Sequence, residues 1–108
     1  MLLERVLQKA GHTVSLVDTA EEGLTLLGSQ PFDLLITDKN LPGIDGFEVL
    51  RRARQTNPTL QAILITGFPT EATRSHATEL GVYSYVTKPF GVHDIVDICD
   101  AALRARPP

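Results

Sequence analysis

Three residues able to handle phosphate stand at the same kind of place in this chain. Asp38 closes "LLITD", Thr66 closes "AILIT", and Lys88 follows "SYVT". A carboxylate can attack phosphorus to give an acyl phosphate, or hold Mg²⁺ beside phosphate oxygens. A lysine ammonium pairs with a phosphoryl oxygen as a point charge, and a threonine hydroxyl can donate to the same oxygen. Carboxylate, ammonium and hydroxyl on neighbouring strand ends would form a phosphoryl-binding set. Each residue also has a plainer reading. Aspartate forms turns, threonine favours strands, and a terminal lysine reaches solvent. For Asp38 the turn reading is weakened by Asp45, which is better placed to cap the next helix.

The elements that must position these residues follow from two alternating periodicities. Leu2, Leu3, Val6, Leu7 and Ala10 recur at helical spacing over 2–10, and Gly11 closes that helix as a left-handed cap. "TVSLV", 13–17, reads as a strand. Asp18 or Thr19 caps the next helix, with Glu21 or Glu22 completing a capping box, and Gly28 and Pro31 end it. "LLIT" is a strand, 45–55 a helix, 62–66 a strand, 70–80 a helix ended by Gly81, 82–86 a strand and 92–105 a helix. Strands alternating with helices of about 10–14 residues predict right-handed crossovers and a parallel sheet. Strands apolar on both faces predict helices on both sides. Ligands in such folds bind outside the carboxyl ends of the strands, which singles out Asp18, Asp38, Thr66 and Lys88.

Composition narrows the function classes. The 108 residues are 43% hydrophobic and 21% charged, enough for one globular domain with a core. A net charge of −3 leaves no footprint for nucleic acid or anionic membrane, and Arg51, Arg52 and Arg54 read as a solvated helix face beside Glu48. No apolar run is long enough to span a membrane, and no leader-like segment opens the chain. The single cysteine, Cys99, cannot close an internal disulfide, which fits a reducing cytoplasm, and its apolar neighbours make it a small core residue. His12, His76 and His93 read as surface or cap residues, no His/Cys cluster suggests zinc, and no glycine-rich loop suggests a nucleotide.

"DLLITDKNLPGIDGFEVLRRAR", "ILITGF" and "SYVTKPF" together resemble the receiver domain of two-component response regulators, in order and over nearly the whole chain. The resemblance implies an α/β, flavodoxin-like, three-layer fold with strand order 2-1-3-4-5, a receiver domain over 1–106 and a tail at 107–108. It implies a cytoplasmic signalling module rather than an enzyme, taking phosphate from a histidine kinase or phosphotransfer protein. Asp38 would be the phosphoacceptor, with Thr66 and Lys88 contacting the phosphoryl group. Asn40 would offer its backbone carbonyl to Mg²⁺, Tyr85 would be the switch aromatic, and Lys88–Pro89 would be a cis bond.

Receiver domains of this kind open with an apolar strand ending in two acids that hold Mg²⁺. The sequence as given opens within the first helical pattern, so the expectation is that this strand and its acidic pair are missing from it. The expectation is therefore weak or absent Mg²⁺ binding and poor phosphate uptake by the chain as given. The alternative function is a degenerate module that binds partners without phosphorylation. A gap beside strand 13–17 further predicts either direct pairing of 13–17 with 33–37 or a homodimer that fills it.

Overall fold

The computed structural model describes residues 2–105, so the tail at 107–108 and the domain's end at 106 lie outside the described residues. The first helix, α1 (Leu2–Lys9), carries Glu4 in its first turn and Lys9 in its last, each complementing the helix dipole. His12 N–H closes it by donating to Leu7 O at 3.1 Å, and Gly11 adopts φ +99°, a left-handed conformation that glycine alone takes freely. After residues 12–18 comes α2 (Ala20–Ser29), capped by the Thr19 side chain, which accepts from Glu22 N–H.

The chain then alternates through β1 (Leu34–Asp38), β2 (Asn40–Leu41), β3 (Ile44–Asp45), α3 (Gly46–Thr56), β4 (Gln61–Thr66), α4 (Glu71–Glu79), β5 (Ser84–Thr87) and α5 (Val92–Arg104). The main sheet is parallel with order β1-β4-β5, and β2-β3 is a small antiparallel ribbon. This is the flavodoxin-like α/β arrangement, with the described strands forming the 3-4-5 part of the expected order.

Alternation along β4 builds the two core layers. Ile63 and Ile65 pack with Leu7, Ile95 and Cys99 under α1 and α5. Ala62 packs with Leu27, Leu50, Ala53 and Leu60 under α2 and α3, and Leu64 with Phe47 and Ala77 under α3 and α4. Successive side chains on a strand point to opposite faces, so one apolar run fills both layers. Each large side chain fully buried here, such as Leu50 or Ile63, contributes about 1.5–3 kcal/mol.

Two expectations need correction. Residues 13–17 form no ladder, although their sequence is strand-like. A strand exists only with a partner, and a cleft of about 620 Å³ separates this segment from the free edge of β1. Helices α1, α2 and α5 hold the two apart, so direct pairing of 13–17 with β1 does not occur. The last strand starts at Ser84 rather than residue 82 because Val82 N–H is used to close α4, on Ala77 O at 3.0 Å. Gly81, at φ +68°, makes that reversal.

Candidate functional site

Asp38 ends β1 opposite Ile65 in the ladder. Lys39 N–H extends the pairing one step by donating to Ile65 O at 2.8 Å, so the carboxylate stands on a backbone held against β4. Behind it the β2-β3 ribbon turns at Gly43, φ +78°, and Asp45 caps α3 by accepting from Phe47 N–H at 2.7 Å. Gly46 N–H donates to Lys39 O at 2.7 Å. A Cβ at position 46 would lie 2.3 Å from Asp38 O and 3.0 Å from Lys39 Cα, so only glycine lets α3 begin this close to Asp38.

Thr66 lies one residue past Asp38's ladder partner and is buried. Its Oγ1 accepts from Phe68 N–H at 3.1 Å, which leaves the hydroxyl proton free to donate outward. Its carbonyl accepts from Lys88 N–H at 2.8 Å, tying the end of β5 to the end of β4. The Lys88–Pro89 bond is cis. Lys88 Nζ reaches across to Asp38 Oδ1 at 2.8 Å, with both side chains about half exposed. A solvent-screened pair of this kind stabilises by only about 0–1 kcal/mol, so the ammonium can move to another anion at small cost.

The three strand-end residues thus converge, as their spacing predicts. Asp18 does not join them: it lies exposed after the unpaired segment, and Thr19 rather than Asp18 caps α2. Asn40 is exposed and its side chain accepts from Lys39 Nζ at 3.3 Å. Tyr85, half-buried on β5, makes a 2.7 Å hydrogen bond through its hydroxyl to Thr73 Oγ1 in the first turn of α4, with Arg74 over its ring. Thr73 escaped the sequence reading. Its only signal was the spacing to Thr70, with which it forms a capping box. Lys39 escaped it too: its ammonium pairs with Asp45 at 3.1 Å and lies 5.9 Å from the Phe47 ring centre. His76 stacks on the Phe47 ring at 4.4 Å rather than standing free on a polar face.

The donors among the described residues do not complete a Mg²⁺ site. Mg²⁺ prefers octahedral oxygen ligands with carboxylates among them. Asp38 offers one carboxylate, already paired with Lys88, and no group of three acids, histidines or cysteines lies together among the described residues.

Residues 1–100 match the family described as response regulator receiver domain. CpdR, a response regulator receiver protein of Brucella abortus, is 34% identical over 103 residues, covering 95% of this chain and 86% of that protein. YkoG, an uncharacterized transcriptional regulatory protein of Bacillus subtilis, is 33% identical over 103 residues, covering 95% of this chain. The chain spans only 45% of YkoG's length. Among solved structures, a CheY-like receiver domain from Methanospirillum hungatei aligns with TM-score 0.88 at 26% identity over 95% of this chain and 82% of that one. A response regulator from Burkholderia pseudomallei, with a phosphorylated aspartic acid, calcium ion and citrate, aligns with TM-score 0.81 at 27% identity. That alignment covers 96% of this chain and 59% of that one. The chain belongs to the response regulator receiver domain family. Among its described residues, no helix is long and apolar enough to cross a membrane.

Proposed function

We propose that the protein is a phospho-accepting module of a two-component relay, with Asp38 as acceptor. The observation that carries this reading is the 2.8 Å approach of Lys88 Nζ to Asp38 Oδ1 beside the buried Thr66. An Asp38 carboxylate oxygen attacks the phosphorus of a phosphohistidine on a kinase or phosphotransfer partner. The O–P bond forms, the P–N bond breaks, and the released imidazole nitrogen takes up a proton. Lys88 shifts from the carboxylate to a phosphoryl oxygen, and the Thr66 hydroxyl donates to another. Drawing on Thr66 in this way loads the loop after β4, and Tyr85, bonded to α4 through Thr73, carries the change outward. Bound Mg²⁺ would supply charge neutralisation at the phosphoryl group, and Asp38 with the Asn40 carbonyl are the donors this chain brings to it.

The same reading makes the chain a signalling module rather than an enzyme, working in the cytoplasm without direct nucleic-acid contact. Its net charge of −3 supports the last point. A second reading, a partner-binding module that is never phosphorylated, is favoured by one observation: no further acid joins Asp38 among the described residues. Intact-mass measurement after incubation with acetyl phosphate and Mg²⁺ separates the two. Gain of one phosphate, lost in Asp38→Asn, supports the acceptor; the incomplete donor set predicts slow uptake. No gain at any time point overturns the acceptor and leaves the second reading.

A further inference from the structure

A groove of about 410 Å³ runs between α3 and α4, within the size range of small-molecule sites. Its floor is the Phe47 ring, buried against Leu64 and Ala77, with the His76 ring stacked on it. The two rings lie 4.4 Å apart with 16° between their planes. His76 is exposed, so one face of the imidazole rests on Phe47 and the other is open. Ala72 and Leu80 continue the apolar surface along α4. A ring fixed from behind and open in front is a platform on which another flat ring can stack.

The rim sets the charge of what can bind. Lys39 and Asp45 pair at 3.1 Å and cancel each other. On α3, Glu48 accepts from Arg51 and, at 2.9 Å, from Arg52 Nε. One carboxylate thus answers two guanidiniums, and one positive charge is left over. Arg51 lines the groove with its side chain 65% exposed, and it spends only Nη2 on Glu48. Its other N–H groups are available to an anion. Glu71, Arg74 and Glu79 of α4 do not line the groove. The chain as a whole carries −3, so a positive surplus beside an open ring is local to this face.

We propose that this groove binds a small planar aromatic monocarboxylate, its ring stacked on His76 and its carboxylate held by Arg51. The guanidinium fork matches a carboxylate with two parallel N–H···O bonds. A doubly charged phosphate asks for more than one surplus cation, and an aliphatic acid leaves the imidazole face uncovered. The groove also reaches the switch, because Thr73 on its α4 wall holds the Tyr85 hydroxyl at 2.7 Å. Phosphorylation that moves Tyr85 reshapes this wall, so the two states of the chain differ in affinity for the ligand. That coupling, unlike the site itself, rests on the acceptor reading given above.

The test titrates 2-naphthoate into the full chain and follows it by NMR. Controls are 2-naphthamide, with the same ring and no charge, and cyclohexanecarboxylate, with the same charge and no flat ring. The expected result is saturable shifts of the His76 ring and the Phe47 and Arg51 amides, with a dissociation constant of about 1 mM or tighter. Each control should bind at least about fivefold more weakly. His76→Ala and Arg51→Gln, both at exposed positions, should each weaken the naphthoate about fivefold, and His76→Phe should restore it. Glu48→Gln raises the surplus charge and should tighten binding about twofold. Circular dichroism checks that each variant is folded. No saturable shift at His76, equal binding of all three compounds, or undiminished binding to His76→Ala overturns the proposal. Equal binding of the naphthamide alone, or undiminished binding to Arg51→Gln, overturns the carboxylate half. Equal affinity in the unlabelled chain and the chain labelled by acetyl phosphate overturns the coupling alone. Failure to label Asp38 overturns the acceptor reading and the coupling with it, and leaves the groove standing.

Discussion

The Tyr85 hydroxyl and Thr73 Oγ1, 2.7 Å apart, join the sheet's last strand to the first turn of α4. Thr73 is at the same time half of that helix's capping box, its Oγ1 accepting from Thr70 N–H and its hydroxyl donating to Thr70 O, both at 3.0 Å. Tyr85→Phe and Thr73→Val should therefore each lower stability by about 0.5–1.5 kcal/mol. In the double variant the losses should fall short of their sum, because both remove one bond. Chemical denaturation of the four proteins measures the coupling, and strict additivity would show that the bond contributes nothing.

Gly46→Ala should be among the most damaging small substitutions. The new methyl would meet Asp38 O at 2.3 Å, and backbone cannot yield as a flexible side chain does. A loss of about 1–3 kcal/mol in urea unfolding is expected, together with shifted amide resonances at Asp38 and Lys39. An unshifted Asp38 amide would mean that α3 moves instead of the acceptor strand.

Arg54 fastens α3 to two loops. Its Nε donates to Leu60 O at 3.1 Å, Nη2 to Gly81 O at 3.2 Å, and Nη1 to Leu80 O. Partial burial lowers its pKa from the ordinary value, yet a guanidinium remains charged at any ordinary pH. Arg54→Lys keeps the charge but cannot span three carbonyls, so a loss of about 1–3 kcal/mol is expected in thermal or urea unfolding. A lysine variant as stable as the parent would show that charge, not the planar fork, matters there.

Cys99 gives a pH signature. Burial, and after it the charge of Asp100, pushes its thiol from the ordinary 9.0 up to about 11. The unfolded thiol ionises first, so between about pH 9 and 11 the native state holds the extra proton. Stability contributed by the neutral thiol is complete below pH 9 and falls as pH rises through that window, by roughly 3 kcal/mol at most. Cys99→Ala should flatten the decline, read as the unfolding midpoint against pH. An identical slope in both proteins would assign the alkaline loss to other groups. The same burial should make the native thiol slow toward alkylating reagents at neutral pH.

Much of this was legible along the chain, for reasons that operate locally. Helical spacing, the Asp45 cap and left-handed Gly11 and Gly81 act within a few residues, so they mark element limits without reference to the rest of the fold. The convergence of Asp38, Thr66 and Lys88 was legible as well, because parallel crossovers bring every strand's carboxyl end to one side. Segment 13–17 defeated the same reasoning. "TVSLV" has strand propensity, but a ladder needs hydrogen-bond partners that propensity cannot provide, and helices packed on both sides hold its nearest candidate across a cleft. The Tyr85–Thr73 bond, the reach of Arg54 to Leu80 and Gly81, and the stacking of His76 on Phe47 join residues 12 to 29 positions apart. Local sequence determined the elements and which ends carry chemistry; packing in three dimensions decided which side chains meet and which strand edge stays open.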